Sequence, residues 1–366
     1  MYVKELTFDG FRNLHTGRWQ PSRGVNILYG DNAQGKTNLL EACWLFTGAK
    51  SFRGAKDSEM VGFDREAAQL QMQFFAGDRE QEAAITIKGR RQVCLNGVNL
   101  SSANKLAGVF CGVVFSPAHL SLIKDGPEGR RRFIDSAYCQ LKPGYIGALT
   151  EFHKALEQRN AFLRQCKEQG YRREMGEMLD LWDHTLAAAG ARLTAARCRY
   201  IQRLQPIAGR IYDGLSGGRE QLTLSWQSPA AAADNAPDMA RLWLSEMQSA
   251  RSADLAAGFT TAGAHREDLH LEIADLSVKQ FGSQGQQRSA VLALKLAEAS
   301  LLEEVTGEPP VAFLDDVMSE LDTSRQDYIL NHIDGWQVVI TCCEPSTALK
   351  HTAAQVFQIK QGVISE

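Results

Sequence analysis

Residues 2–11 alternate apolar and polar positions, with Val3, Leu6 and Phe8 among the apolar ones, and predict a first strand. A second apolar run, Val25-Asn26-Ile27-Leu28-Tyr29, is followed at once by a glycine-bounded turn and a helix-period stretch. Further strand patterns cover residues 68–75, 83–88 and 92–95, the last two joined by Gly89-Arg90-Arg91. Asn96-Gly97 is a strong hairpin turn, and residues 109–115 read as a buried strand ending at Ser116-Pro117.

The period changes near Ile123. Gly126-Pro127 and Gly129 punctuate a loop, after which helix spacing runs through residues 141–169 and 174–210. Breaks fall near Pro143-Gly144 and Gln169-Gly170, and Pro206 is expected to kink or end the second helix. Residues 228–237, rich in alanine and bounded by proline, read as a poorly ordered linker before a helix at 239–258. Strand pattern returns near Thr260 and at 270–273. The chain closes with a helix at 289–304, a strand at Val311-Ala312-Phe313-Leu314, a helix at 324–332 and a strand at 337–341. The ends thus resemble one α/β unit interrupted by helices, with boundaries expected at 1–122, 123–259 and 260–366.

The turn after Tyr29 carries the first chemistry. Gly30-Asp31-Asn32-Ala33-Gln34-Gly35-Lys36-Thr37 matches the GxxxxGK[ST] phosphate loop, in the strand–loop–helix setting that pattern requires. Glycines let the backbone turn its N–H groups towards a phosphate at a helix N-terminus. Lys36 is then placed to reach the β- and γ-oxygens, and the Thr37 hydroxyl to hold Mg²⁺.

Composition narrows the class only a little. The 366 residues suffice for about two domains, and 44% hydrophobic with 23% charged content is that of an ordinary globular protein. No apolar run approaches membrane-spanning length and the first residues start a strand, so a cytoplasmic protein is expected. Eight scattered cysteines without a CxxC pair argue against a zinc ribbon or a disulfide framework. A net charge of −3 excludes an overall basic coat, so any nucleic-acid contact must use a local patch.

A second constellation lies at the far end. The strand at Val311 ends in Asp315-Asp316, the first placed to hold the Mg²⁺ shell and the second to polarise an attacking water. Ahead of it, Ser283-Gln284-Gly285-Gln286 opens a long apolar-faced helix, and Ser319-Glu320-Leu321-Asp322 follows it. The order phosphate loop, signature, acidic strand, Ser-x-Leu-Asp resembles the ABC-type ATPases.

The resemblance sharpens to the RecF family. It is carried by Phe11-Arg12-Asn13, the phosphate loop with Asn38-Leu39-Leu40-Glu41-Ala42, Ser51-Phe52-Arg53, Phe115-Ser116-Pro117 and Arg130-Arg131-Arg132. Gly263-Ala264-His265-Arg266-Glu267-Asp268, Ser283–Arg288 and Asp315–Asp322 complete it. The likeness implies an α/β fold, an ABC-type, Rad50-like phosphate-loop ATPase head with an inserted, mainly helical arm. It implies ATP and Mg²⁺ as ligands, an ATP-dependent homodimer, weak DNA-stimulated hydrolysis, binding to double-stranded and gapped DNA, and work with RecO and RecR to load RecA.

Carried over by position, residues Gly30 to Asn38 with Arg12 and Asn13 would surround ATP. Thr37 and Asp315 would hold Mg²⁺, while Lys36, Asp315 and Asp316 would be catalytic. Ser283, Gln284, Gly285 and Gln286 would cap a second copy's γ-phosphate, and Ser319 and Asp322 would form the intervening D-loop. Asp316 stands where transporters usually have Glu, Thr341-Cys342-Cys343 replaces their switch histidine, and Ala118-His119 occupies a place where an acid is expected.

Arginines supply the candidate DNA contacts. Arg192, Arg199 and Arg203 fall within one arc of a helix whose neighbouring face holds Leu186, Leu193, Tyr200 and Leu204. Arg130, Arg131 and Arg132 are the second group. The rival readings are the ATP-binding subunit of an ABC transporter and a phosphate-loop kinase or GTPase. The missing histidine and long insertion oppose the first, and the distant acidic strand opposes the second.

Overall fold

The computed structural model describes residues 1–344 and 354–365. Strands come first: β1 (Tyr2–Asp9), β2 (Gly17–Trp19) and β3 (Val25–Tyr29), then helix α1 (Lys36–Trp44). Strands β4 (Ala68–Ala76), β5 (Arg79–Lys88), β6 (Arg90–Leu95), β7 (Val98–Leu100) and β8 (Gly112–Phe115) precede a short helix α2 (Pro117–Leu120). The middle is helical: α3 (Pro127–Leu141), α4 (Tyr145–Gln169), α5 (Gly176–Ser216), strand β9 (Leu222–Gln227) and α6 (Ala236–Ala257). Then follow β10 (Asp268–Ile273), β11 (Leu276–Ser277), α7 (Val278–Phe281), α8 (Gln284–Thr306), β12 (Val311–Leu314), α9 (Thr323–His332) and β13 (Val338–Cys342). The last strands are β14 (Ala354–Lys360) and β15 (Val363–Ser365).

These elements form two compact units, Met1–Ser121 with Ile207–Glu220 and Gln284–Glu366, and Leu122–Pro206 with Gln221–Ser283. Two expected boundaries therefore move. Residues 260–283 belong with the helices, because β10 pairs antiparallel with β9 along Leu222–Gln227, a strand outside those expected from the sequence. Residues 207–220 belong to the first unit, where a Cβ on Gly214 would come within 2.5 Å of Tyr328 Oη. Helix α5 does not end at Pro206; it continues to Ser216.

The first unit holds two sheets. One is antiparallel in the order β2-β1-β4-β5-β6-β7, and β4 shows the half-buried alternation expected of it, with Leu70, Met72 and Phe74 inward. Asn96 (φ 50°) and Gly97 (φ 79°) both lie in the left-handed region, the I′ turn that the Asn-Gly pair favours. The other sheet has the order β15-β14-β3-β13-β12-β8, parallel except at β15. Every residue of β8 and β12 is buried, which is why these strands read as unbroken apolar runs.

The second unit has its own core around Phe152, Leu186, Leu193, Trp243 and Met247. Residues 228–237 are not a disordered linker. Ser228 caps a short 3-10 turn, Asn235 caps α6 by accepting from Asp238 N, and Ala230 is wholly buried. Three helices are joined by one buried guanidinium. Arg159 of α4 donates to Asp183 of α5 at 2.8 Å, to Asp254 of α6 at 2.7 Å and to Thr260 at 2.8 Å, and all three charged residues are fully buried.

Arg159→Leu leaves buried Asp254 without a cation and Asp183 with Arg251 alone, and should cost about 3–5 kcal/mol in denaturant unfolding of this unit. The triple variant with Asp183→Leu and Asp254→Leu should recover much of that loss, which separates uncompensated charge from lost packing.

Candidate nucleotide site at the carboxyl ends of the parallel strands

Strands β3 and β12 never touch; β13 lies between them. Its register aligns Ile340 with Ile27 on one side and with Leu314 on the other. The carboxyl ends of all three strands thus open at one level, where open α/β sheets bind ligands.

The phosphate loop occupies that level. Gly30 (φ 152°), Ala33 (φ 64°) and Gly35 (φ 116°) turn the backbone into an anion-facing nest ahead of α1. At Gly30 no other residue fits, since a Cβ would stand 2.2 Å from Ile359 O. The buried Lys36 folds back over the loop, its Nζ donating to Gly30 O at 2.6 Å and Asp31 O at 3.0 Å. Gln34 ties the loop to the C-terminal hairpin, accepting from Gln361 N at 2.6 Å through Oε1 and from Gly362 N at 2.9 Å through its carbonyl. Asn32 Oδ1 accepts from the exposed Cys343 thiol at 3.4 Å, while Asp31, Asn32 and Ala33 are exposed.

Thr37 meets Asp315 directly. Its hydroxyl donates to Asp315 Oδ1 at 2.7 Å, and Thr341 Oγ1 donates to the same oxygen at 3.1 Å. Asp315 is buried, and burial pushes its carboxyl above the ordinary range. The Thr37 hydrogen bond opposes that rise, and neighbouring Asp316 adds to it. Asp316 adopts φ 50°, with its N–H donating to Thr341 Oγ1 at 2.8 Å. Thr341 is a residue sequence reasoning registered only as an absent histidine. The signal for it was its position one strand over from both motifs.

Arg12 and Asn13 sit beside this loop. Asn13 Nδ2 donates to Ala33 O at 2.9 Å, and Asn13 Oδ1 accepts from Asn38 at 2.6 Å. The Arg12 guanidinium is held by Glu41, with two hydrogen bonds of 2.8 and 3.0 Å. Glu41 is fully buried, also accepts from the Ser51 hydroxyl, and lies 3.9 Å from Arg53. The sequence offers Glu41 only within the family-like stretch 38–42 and with no role of its own, a lone acid inside an apolar helix.

The remaining candidates are dispersed. Ser283 is exposed at the end of the second unit, and Gln284, Gly285 and Gln286 open α8 in the first, where Gln286 donates to Glu220 at 2.8 Å. Ser319 donates to Asp316 O at 2.9 Å, and Asp322 caps α9 by accepting from Arg325 N at 3.1 Å. His119 Nδ1 pairs with Ser116 Oγ at 3.0 Å.

The arginines divide. Arg130 is removed from the DNA-contact candidates: it is 2% exposed, bonds Asp268 at 2.7 and 2.9 Å, and donates to three backbone carbonyls. Arg131 is half-buried and donates to Glu267 O at 2.6 Å, whereas Arg132 is exposed and pairs with Glu128. Arg192, Arg199 and Arg203 are exposed on α5, Arg192 within 2.6 Å of Glu151, and Leu186, Leu193, Tyr200 and Leu204 are buried as their spacing requires.

Fold and site together define an ABC-type phosphate-loop ATPase head carrying an inserted, mainly helical unit. The profile of the RecF/RecN/SMC N-terminal domain family matches residues 2–365. DNA replication and repair protein RecF of Nostoc punctiforme is 39% identical over 372 residues, covering 100% of this chain and 99% of that protein. RecF of Acetivibrio thermocellus is 36% identical over 348 residues, 94% of either chain. A structure of the recombination mediator protein RecF with ATPrS, in the RecFOR pathway, superposes with a TM-score of 0.92 at 35% identity, covering 100% of this chain and 97% of that one. The Smc head of Pyrococcus furiosus shares the fold alone, with a TM-score of 0.55 at 15% identity and coverage of 100% and 95%. The chain belongs to the RecF family.

The raised pKa of Asp315 has a sign that can be tested. A carboxyl whose folded pKa lies above its unfolded one destabilises the protein at neutral pH, and that cost fades as pH falls through the folded value. Asn keeps an oxygen for Thr37 and Thr341. Asp315→Asn should therefore raise the melting temperature of the nucleotide-free protein at pH 7, with the gain shrinking steadily towards pH 4.

Proposed function

We propose that this chain is a cytoplasmic DNA-repair ATPase of the RecF type, which pairs on double-stranded or gapped DNA when ATP is bound. The observation that carries the reading is the Thr37–Asp315 hydrogen bond, which unites two motifs 278 residues apart in one crevice. Relatives named RecF across the full length support it, as does the RecF structure described with ATP. Among the described residues no helix is long and apolar enough to cross a membrane. The ATP-binding subunit of a transporter is disfavoured by these relatives.

The donor set suits a hard cation. The Thr37 hydroxyl and the Asp315 carboxylate are adjacent oxygens of the kind Mg²⁺ accepts while keeping most of its waters. When bound, the ion would neutralise charge on the transferring phosphoryl group. The chain's own part is positional. Residues 30–38 cradle the phosphates, and Lys36 exchanges its two carbonyl partners for phosphate oxygens. Asp316 orients water and accepts its proton, one methylene shorter than Glu, which suits slow, DNA-stimulated turnover. Ser283, Gln284, Gly285 and Gln286 would complete the site on a second copy. Hydrolysis then resets a clamp that acts with RecR and RecO to promote RecA loading.

Solution mass and ATP affinity check the division of roles. Lys36→Ala should weaken ATP binding about 10- to 100-fold, the loss of hydrogen bonds between charged groups. Asp316→Asn should bind ATP normally and accumulate as a dimer, whereas Ser283→Arg should bind ATP and stay monomeric. A Ser283→Arg protein that pairs normally would remove the signature assignment.

Replacing Arg192, Arg199 and Arg203 with Ala should lower DNA affinity and flatten the log–log salt slope by about 2–3. A slope identical to that of the unmodified protein would exclude this stripe.

A further inference from the structure

The signature helix and the loop after the acidic strand are fastened to each other twice, in opposite directions. From α8, Arg288 reaches back to the loop, donating to Glu320 O at 2.8 Å and to the Glu320 carboxylate at 3.1 Å. From α9, Arg325 reaches forward to α8, donating to the buried Ser289 hydroxyl at 2.9 Å and to Gly285 O at 3.4 Å. Its remaining nitrogen pairs with Asp322, the residue that caps α9. Gln326 closes the loop from beneath, donating to Met318 O at 2.6 Å and Leu321 O at 3.0 Å.

That loop is continuous with the chain's own nucleotide crevice. Thr37 bonds Asp315, Asp315 bonds Thr341, Thr341 accepts from Asp316 N, and Ser319 donates to Asp316 O. Glu320 follows in sequence. Every step from Thr37 to the first turn of α8 is a hydrogen bond or a short covalent link, and all of it lies within the first unit. Lone arginines spanning two surface elements are worth little to stability when exposed. Arg288 is itself partly exposed, but it grips the Glu320 carbonyl, and Arg325 grips the buried Ser289 hydroxyl, which fixes position.

We propose that Arg288 and Arg325 are positioning residues forming a clasp, through which occupancy of a subunit's own phosphate loop sets the first turn of the α8 helix that it offers to a second copy. The proposal rests on the reading of Ser283 to Gln286 as a cap acting on that copy. The clasp does not touch ATP in its own subunit. Its removal uncouples the two sites and leaves each subunit able to bind nucleotide. Coupling of this sort is measured as a free energy between sites, and couplings of about 5- to 150-fold are usual.

The test uses the full chain with Arg325→Ala, Arg325→Lys, Arg288→Ala and the double alanine variant, each checked for an unchanged melting temperature without nucleotide. ATP affinity of the monomer should stay within about twofold of the unmodified protein. Dimerisation with a non-hydrolysed ATP analogue should weaken about tenfold or more in Arg325→Ala, be partly restored in Arg325→Lys, and be non-additive in the double variant. Normal dimerisation of the double variant would overturn the clasp. If the unmodified protein itself fails to pair, the cap reading fails, and hydrogen exchange then tests the clasp alone. ATP added to the monomer should change protection at residues 285–289 in the unmodified protein and not in the double variant. No change in the unmodified protein would overturn it.

Discussion

The site depends on a hydrogen bond that could not hold itself together. Thr37 and Asp315 meet at 2.7 Å across 278 residues of chain. Closing a flexible loop of that length costs about 5 kcal/mol, while one such hydrogen bond contributes about 1 kcal/mol net. The closure is done elsewhere, by the ladder in which β13 separates β3 from β12. Burial of Val311–Leu314 and of β13 supplies the driving force, and the carboxylate arrives at the loop as a consequence. That order of causes explains why Asp315 tolerates a raised pKa: the sheet places it in a dry crevice that its own solvation would not choose.

Local mechanisms were legible in the sequence, and non-local ones were not. The phosphate loop, the Asn96-Gly97 turn and the acidic strand each carry their physics within a few residues. The triple Arg130-Arg131-Arg132 illustrates the opposite case. Its letters are the same whether a guanidinium meets solvent or a carboxylate, and the partner that buries Arg130 is Asp268, 138 residues away. Glu41 hid for a similar reason, since a buried acid is identified by Arg12 and Ser51 closing over it. Residues 228–237 misled through composition: alanine and proline suggest a linker, yet two side-chain caps order the segment. Helix α5 outran Pro206, so the proline marks the division between units and not a helix end.

The second unit shows why an insertion of this size need not weaken the head. It carries its own apolar core, and the Arg159 network fixes the mutual register of α4, α5 and α6 from inside. Buried ion pairs add little net stability over apolar replacements, so their value here is geometric. Arg197 repeats the device, bonding Asp135 and Glu267 at 2.7–2.9 Å. Both arginines thereby become structural anchors and leave the pool of cations available to a polyanion.

The burial of these arginines constrains how DNA could be held. A net charge of −3 gives the chain no overall pull on a polyanion, and Arg130, Arg159 and Arg197 are buried and committed to carboxylates. Every phosphate contact contributes a fixed increment to the salt dependence, so under the proposed reading three arginines on α5 would give a single copy only a modest, salt-sensitive grip. Two copies joined through bound ATP would present both stripes to one duplex, and the second contact would form at the high effective concentration of a tethered site. Grip on DNA would then depend steeply on pairing, and pairing on the γ-phosphate. Under the proposed reading, slow hydrolysis at Asp316 is what makes that dependence useful, because turnover sets how long the clamp persists.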